Sequence, residues 1–135
     1  MGLSISKNKK KTAIIKDFVS WFEIPAVNFV QATAFYSHIY GIEMTKIDNN
    51  GYSMAFFPTK EGIGGAVVAG PGSIPSDSGP LIYLNGGTDL NNVLSKVPEA
   101  GGRIVMEKTF IADDSGYFAI FIDSEGNKLA LHSKK

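Results

Sequence analysis

The sequence predicts an α+β fold in which two βαβββ repeats form a curved sheet around a cleft. Three observations predict it. GYSMAFF at Gly51–Phe57 is echoed by GYFAIFI at Gly116–Ile122, which shares its length, its opening Gly-Tyr and its aromatics. Two amphipathic stretches, each behind a capping residue and ahead of a glycine, stand at matching places before those runs. Between the copies, Gly70 to Pro80 is rich in Gly, Pro and Ser, the composition of a linker or long surface loop. Self-similarity at this spacing is the mark of a duplicated supersecondary unit.

Residues 1–17 read as a basic, flexible tail and residues 18–135 as a single domain, with 18–70 the first unit, 71–80 the linker and 81–133 the second unit. Phe18 to Ile24 is β-branched and aromatic and is ended by Pro25, so it reads as a strand. Asn28 caps a helix whose Phe29, Ala32, Tyr36 and Ile39 share a face, and Gly41 stops it. Ile42 to Ile47 reads as a strand, Asp48 to Gly51 as a turn, Tyr52 to Phe57 as a strand ended by Pro58, and Ala66 to Ala69 as the last strand of the unit.

The second unit repeats this order. Leu81 to Asn85 reads as a strand, and Thr88 or Asp89 caps a helix with Leu90, Val93, Val97 and Ala100 on one face before Gly101-Gly102. Pro98 inside that pattern removes a hydrogen bond, so a kink or an early end is expected there. Arg103 to Phe110 is a strand, Ala112 to Ser115 a turn, and Gly116 to His132 a hairpin around Asp123-Ser124-Glu125-Gly126-Asn127. Each unit alone leaves one sheet face exposed, so the two bury those faces together, within a chain or across a dimer.

Composition narrows the function classes. Positive and negative charges cancel, so no overall field attracts nucleic acid or an anionic membrane. No cysteine is present, which excludes disulfides, thiolate metal sites and a Cys nucleophile, and fits a cytoplasmic protein. Ala13-Ile14-Ile15 is too short for the apolar region of a signal peptide, and no segment approaches the ~18 consecutive apolar residues of a membrane span. Lys7 to Lys11 reads as a solvated tail. Gly64-Gly65 and Gly86-Gly87 lack the spacing and the Lys-Ser/Thr of a phosphate loop.

The chain resembles the vicinal oxygen chelate superfamily, which includes glyoxalase I, bleomycin- and fosfomycin-resistance proteins and extradiol dioxygenases. Asn28, Phe29, Ala32, Phe35-Tyr36 and Gly41 meet that superfamily's first-helix pattern. Asp123, Gly126 and Asn127 match its Asp-Pro-x-Gly-Asn turn with Ser124 in place of Pro, and Glu99 to Gly102 is its usual exit from the second helix. The resemblance implies the duplicated fold, a homodimer, and a divalent metal held by His, Glu or Gln on the first and last strands of both units. Aligned on the caps and the turn, those positions fall on Trp21, Gly65 or Ala66, Tyr83 and Ala130. None is a usual metal ligand, tyrosinate being the rare exception, so the expectation is a fold kept with its metal lost and no cofactor.

Other residues then become the candidates. Alternation puts Trp21 with Glu23, Tyr83 with Asn85, and Ala130 with His132 on one face of their strands. Glu23 on an otherwise apolar face is desolvated unless paired, the setting from which a general base is made, and His132 could exchange its proton. The plainer reading has Glu23 hydrogen-bonded to a nearby backbone group or tyrosine hydroxyl and His132 at a frayed C-terminal edge. Trp21, Met54, Phe56, Tyr83 and Asn85 are the candidate ligand contacts, an aromatic slot for a planar or cationic molecule. Tyr117 is either pocket or core. His38 reads as a surface residue, and Lys108 and Arg103 as solvated cations. The favoured function is metal-free binding of a small organic molecule in a largely apolar cleft. Two alternatives stand beside it: a metal-independent lyase or isomerase using Glu23 and His132, and a metal-dependent enzyme like lactoylglutathione lyase or a dioxygenase.

Overall fold

Residues 14–135 are described by the structure, a computed structural model. The expected basic run at Lys7 to Lys11 lies outside them. Two four-stranded sheets of identical topology make up the chain, with strand orders β1-β4-β3-β2 and β5-β8-β7-β6. In each, the first strand runs parallel to the last and the other pairs are antiparallel. The duplication seen in the residues is therefore a duplication of the fold.

Strand β1 spans Trp21–Ala26, running through Pro25 rather than ending before it. The reason is its place at the sheet edge. Pro25 turns its carbonyl outward, where Asn127 Nδ2 donates to it at 2.7 Å, and the missing N–H would have faced the same way. Helix α1, Phe29–Tyr40, begins where Asn28 Oδ1 accepts from the Gln31 N–H at 3.0 Å. It ends in a Schellman motif: Gly41 is left-handed at φ 64°, Gly41 N–H donates to His38 O, and Ile42 N–H donates to Ser37 O. That bond occupies Ile42, so strand β2 starts later than expected, at Thr45–Asn49.

Asn50 and Gly51, at φ 52° and 86°, form the two-residue loop to strand β3, Tyr52–Phe56. Both central residues of this turn need positive φ, which Asn-Gly supplies. Strand β4 is Gly64–Ala69 and strand β5 is Tyr83–Asn85.

The second helix is shorter than its apolar face suggests. Helix α2 covers only Asn91–Leu94, with Asp89 Oδ1 accepting from the Asn91 N–H at its start. Pro98 has no N–H to give Leu94, and its ring would press on that carbonyl, so the chain tightens ahead of it. Lys96 N–H donates to Val93 O and Val97 N–H to Leu94 O, and these turns carry Val97 into the same buried face as Leu90 and Val93. Strand β6, Arg103–Ala112, strand β7, Gly116–Ile122, and strand β8, Lys128–Ser133, complete the unit.

One core serves both units: Ile24, Phe35, Tyr36 and Val67 of the first pack with Leu94, Val97, Phe121 and Leu131 of the second. Phe35 stacks on Phe121 with ring centroids 6.1 Å apart. The hairpin turn of the second unit holds the helix of the first. Glu125 Oε1 accepts from the Val27 and Asn28 N–H groups at 2.8 and 2.7 Å, at the helix N-terminus where a carboxylate is favoured. Asp123, 3% exposed, accepts from Tyr36 Oη, Asn127 Nδ2 and the amides of Glu125 and Asn127. Among the described residues, no helix is long and apolar enough to cross a membrane.

Candidate functional site

Each sheet has a core face and an open face. On β1, Phe22, Ile24 and Ala26 turn toward the core, while Trp21, Glu23 and Pro25 share the open face. The strand register extends that face: Glu23 lies beside Ala66 and Ala66 beside Phe56, while Pro25, Val68, Met54 and Ile47 form the next row. In the second sheet, Tyr83, Ala130, Ile120 and Met106 form one row and Asn85, His132 and Phe118 another. The two units repeat one motif. Trp21 meets Phe56 with ring centroids 5.9 Å apart, and Tyr83 meets Phe118 at 6.4 Å.

Of the residues that the resemblance aligns with metal ligands, Trp21, Gly65, Ala66 and Ala130 carry no metal-ligating side chain, which leaves only the Tyr83 phenol. The Trp21 indole nitrogen only donates, and it does so to Glu23 Oε2 at 3.2 Å. Alanine at 66 or 130 offers no ligating atom. A Cβ at Gly65 would stand 2.3 Å from the Phe22 ring, so any side chain there must displace that ring. Among the described residues no three His, Asp or Glu side chains converge.

Glu23 and His132 stand apart in their surroundings. Glu23 borders a recess of about 300 Å³ with Tyr52 and Met54. His132 borders a more open one with Tyr83 and Asn85, and its Nε2 is hydrogen-bonded to the Ser115 carbonyl at 2.5 Å. The cavities Glu23 borders are not those His132 borders. Tyr117 packs edge-on against Phe110, with Lys108 Nζ 4.6 Å from its ring centre. His38 pairs with Glu99 on the surface, and Lys108 pairs with Asp89 at 2.9 Å.

A cavity of about 640 Å³ opens at the seam between the units. Phe22, Phe57 and Ile63 form its wall on one side, Ile82 and Leu84 on the other, and Tyr83 and Asn85 lie at its border. Of the five expected ligand contacts it takes Tyr83 and Asn85, while Trp21, Met54 and Phe56 stay on the open face of the first sheet. No Asp, Glu, Lys, Arg or His lines it. Tyr40, at the last turn of α1, also lines it and donates from Oη to the Asn85 carbonyl at 2.7 Å. Burial pushes the Tyr40 phenol well above its ordinary range, so it stays neutral. Asn85 Oδ1 accepts from the Gly87 N–H at 2.8 Å. Phe22, Phe57 and Tyr40 escaped the sequence reading because each sits on a face that periodicity marks as core.

The architecture is that of the vicinal oxygen chelate fold, the glyoxalase, bleomycin-resistance and dioxygenase type. Solved structures of that type superpose on most of the chain. A glyoxalase/bleomycin resistance protein from Albidiferax ferrireducens T118 is 14% identical at a TM-score of 0.63, covering 88% of this chain and 100% of its own. A glyoxalase/bleomycin resistance protein/dioxygenase family enzyme from Burkholderia phytofirmans PsJN is 16% identical at 0.58, covering 86% of this chain and 98% of its own. Glyoxalase I from Zea mays is 17% identical at 0.65, covering 84% of this chain and 43% of the longer maize chain. At such identities the likeness establishes the fold. No family model matches the sequence, and no curated protein matches it significantly.

Proposed function

We propose that this protein binds a small organic molecule, without a metal, in the apolar cavity between its two units. The observation that carries this reading is the cavity's lining: about 640 Å³ walled by aromatic and aliphatic side chains and bordered by no Asp, Glu, Lys, Arg or His. Pockets of this size and character are the usual sites of small-molecule binding. A homodimer belongs to the same reading, because Trp21 and Tyr83 are 43% and 53% exposed on the open sheet faces. A cytoplasmic setting fits the absence of cysteine.

Ile63→Trp provides the test. Ile63 is 39% exposed at the cavity wall, so indole can occupy the space while the fold holds. Calorimetry with a neutral naphthyl probe is expected to show one site per chain in the native protein and none in the variant. Added Zn²⁺, Ni²⁺ or Mn²⁺ is expected to leave both probe affinity and melting temperature unchanged, since a bound ion would stabilise the native state. Stoichiometric metal in protein purified without chelator overturns the metal-free reading.

A further inference from the structure

The geometry points to an uncharged, peptide-like ligand for the seam cavity, an N-acyl amino acid amide with an apolar side chain, paired with the free main-chain edge of strand β5; this rests on the binding reading above. Six consecutive residues, Pro80 to Asn85, line the cavity. Successive side chains of a strand point to opposite faces, and here Leu84 is buried while Tyr83 and Asn85 turn to the open face. An unbroken run of this kind meets a cavity along its main-chain edge. Strand β5 ends its sheet, with β8 on one side alone. Its bonds to β8 use alternate residues: Ala130 N–H donates to the Ile82 carbonyl at 3.0 Å and Gly86 N–H to the His132 carbonyl at 2.7 Å, in a parallel register that sets Tyr83 beside Ala130 and Asn85 beside His132. The main-chain groups of Tyr83 and Asn85 therefore point the other way. Tyr40 shows where that way leads, because this cavity-lining phenol donates to the Asn85 carbonyl at 2.7 Å. Among the described residues, neither the N–H nor the carbonyl of Tyr83 has a hydrogen-bond partner.

A strand-edge residue with both groups free is completed by one residue of another extended chain, which accepts from its N–H and donates to its carbonyl. An amino acid blocked at both ends supplies that donor and acceptor at the spacing of a strand. It also carries no charge. No Asp, Glu, Lys, Arg or His lines the cavity, so a free ammonium or carboxylate would lose its hydration against Phe22, Phe57 and Ile82 with nothing to replace it. Tyr40 supplies no charge either, as its buried phenol stays protonated and its hydroxyl hydrogen is given to Asn85. An amide loses far less, and regains at Tyr83 the hydrogen bonds it gave up in water. The apolar side chain of the ligand then meets the aromatic and aliphatic wall opposite the strand.

Three probes test this by calorimetry: N-acetyl-2-naphthylalanine methylamide, the same compound methylated on its naphthylalanine nitrogen, and 2-ethylnaphthalene. Methylation removes the donor that meets the Tyr83 carbonyl and is expected to weaken binding to the native protein about tenfold. Tyr83→Pro removes the edge N–H without breaking a bond to β8, as Pro25 does on the edge of β1, and Tyr83→Ala keeps that N–H as its control. The unmethylated diamide is expected to bind Tyr83→Pro about tenfold more weakly than Tyr83→Ala, while 2-ethylnaphthalene stays within about twofold between them. Equal affinity of the native protein for the two diamides, or an equal change for diamide and hydrocarbon between the two variants, overturns the main-chain pairing while leaving the cavity reading intact. Binding of none of the three to the native protein overturns the cavity reading itself. If Tyr83→Pro does not fold, the comparison of the two diamides in the native protein decides, and equal or tighter binding of the methylated one overturns the inference.

Discussion

Tyr36→Phe removes one oxygen from the joint between the two units, and its cost can be worked from the structure. Tyr36 is fully buried, and its hydroxyl donates to Asp123 Oδ2 at 2.7 Å across 87 residues of sequence. A hydrogen bond to a charged acceptor contributes about 1.5–3 kcal/mol. Asp123 keeps its other donors, Asn127 Nδ2 at 3.0 Å and the amides of Glu125 and Asn127 at 2.8 and 3.0 Å, so the carboxylate is not stranded. That places the loss near the lower end, about 1.5–2 kcal/mol, read by urea unfolding with an unchanged m-value. Asp123→Asn turns an amide donor toward donors and is expected to cost about 3 kcal/mol or more. The double variant should cost less than the two losses summed, because they share a contact. Burial, and after it the Asp123 charge, holds the Tyr36 phenol well above its ordinary range. A raised folded pKa gives stability that is complete below the unfolded value of about 10 and fades as pH rises past it. The native protein should therefore lose stability above about pH 10 more steeply than Tyr36→Phe. A variant within about 0.5 kcal/mol of native, additive with Asp123→Asn, refutes this account of the joint.

Three more outcomes follow from single features. Spectroscopic titration of the five tyrosines should show Tyr36 and Tyr40 ionising after the rest, with Tyr40→Phe removing one late component. Gly65→Ala sets a methyl 2.3 Å from the Phe22 ring, so the ring must swing into the cavity; a loss of about 1–3 kcal/mol and weakened probe binding are expected, measured by urea unfolding and calorimetry. Asp89 is held below its usual carboxylate range by the Asn91 amide and then by Lys108, so its contribution is present above about pH 4 and lost as pH falls further. Asp89→Asn should lower neutral stability slightly and flatten the acid limb in that window, the two profiles converging at low pH.

Legibility in the sequence tracked the range of the interactions involved. Asn28, Gly41 and the Asn50-Gly51 loop each act within one turn of chain, and each does what its residue type predicts. The boundaries that moved were set by longer reach. Pro25 stays in a strand because its outer edge meets Asn127, far along the chain. The second helix closes early because Pro98 acts on the turn before it, although its buried face persists through Val97. Alternation alone placed Trp21 beside Glu23, and the indole hydrogen bond between them follows from that spacing. It did not relate Glu23 to His132, which belong to different sheets.

By itself, then, the sequence determined the repeated βαβββ unit and the vicinal oxygen chelate fold, because strand alternation and capping are properties of a residue and its near neighbours. Only the tertiary structure decided that Asp123, Glu125 and Asn127 clamp the first unit, and that an apolar cavity lies at the seam beside Phe22, Tyr40 and Asn85. A cavity is the space that two packed surfaces fail to fill, and these two surfaces come from segments about twenty to sixty residues apart, whose approach no local pattern records.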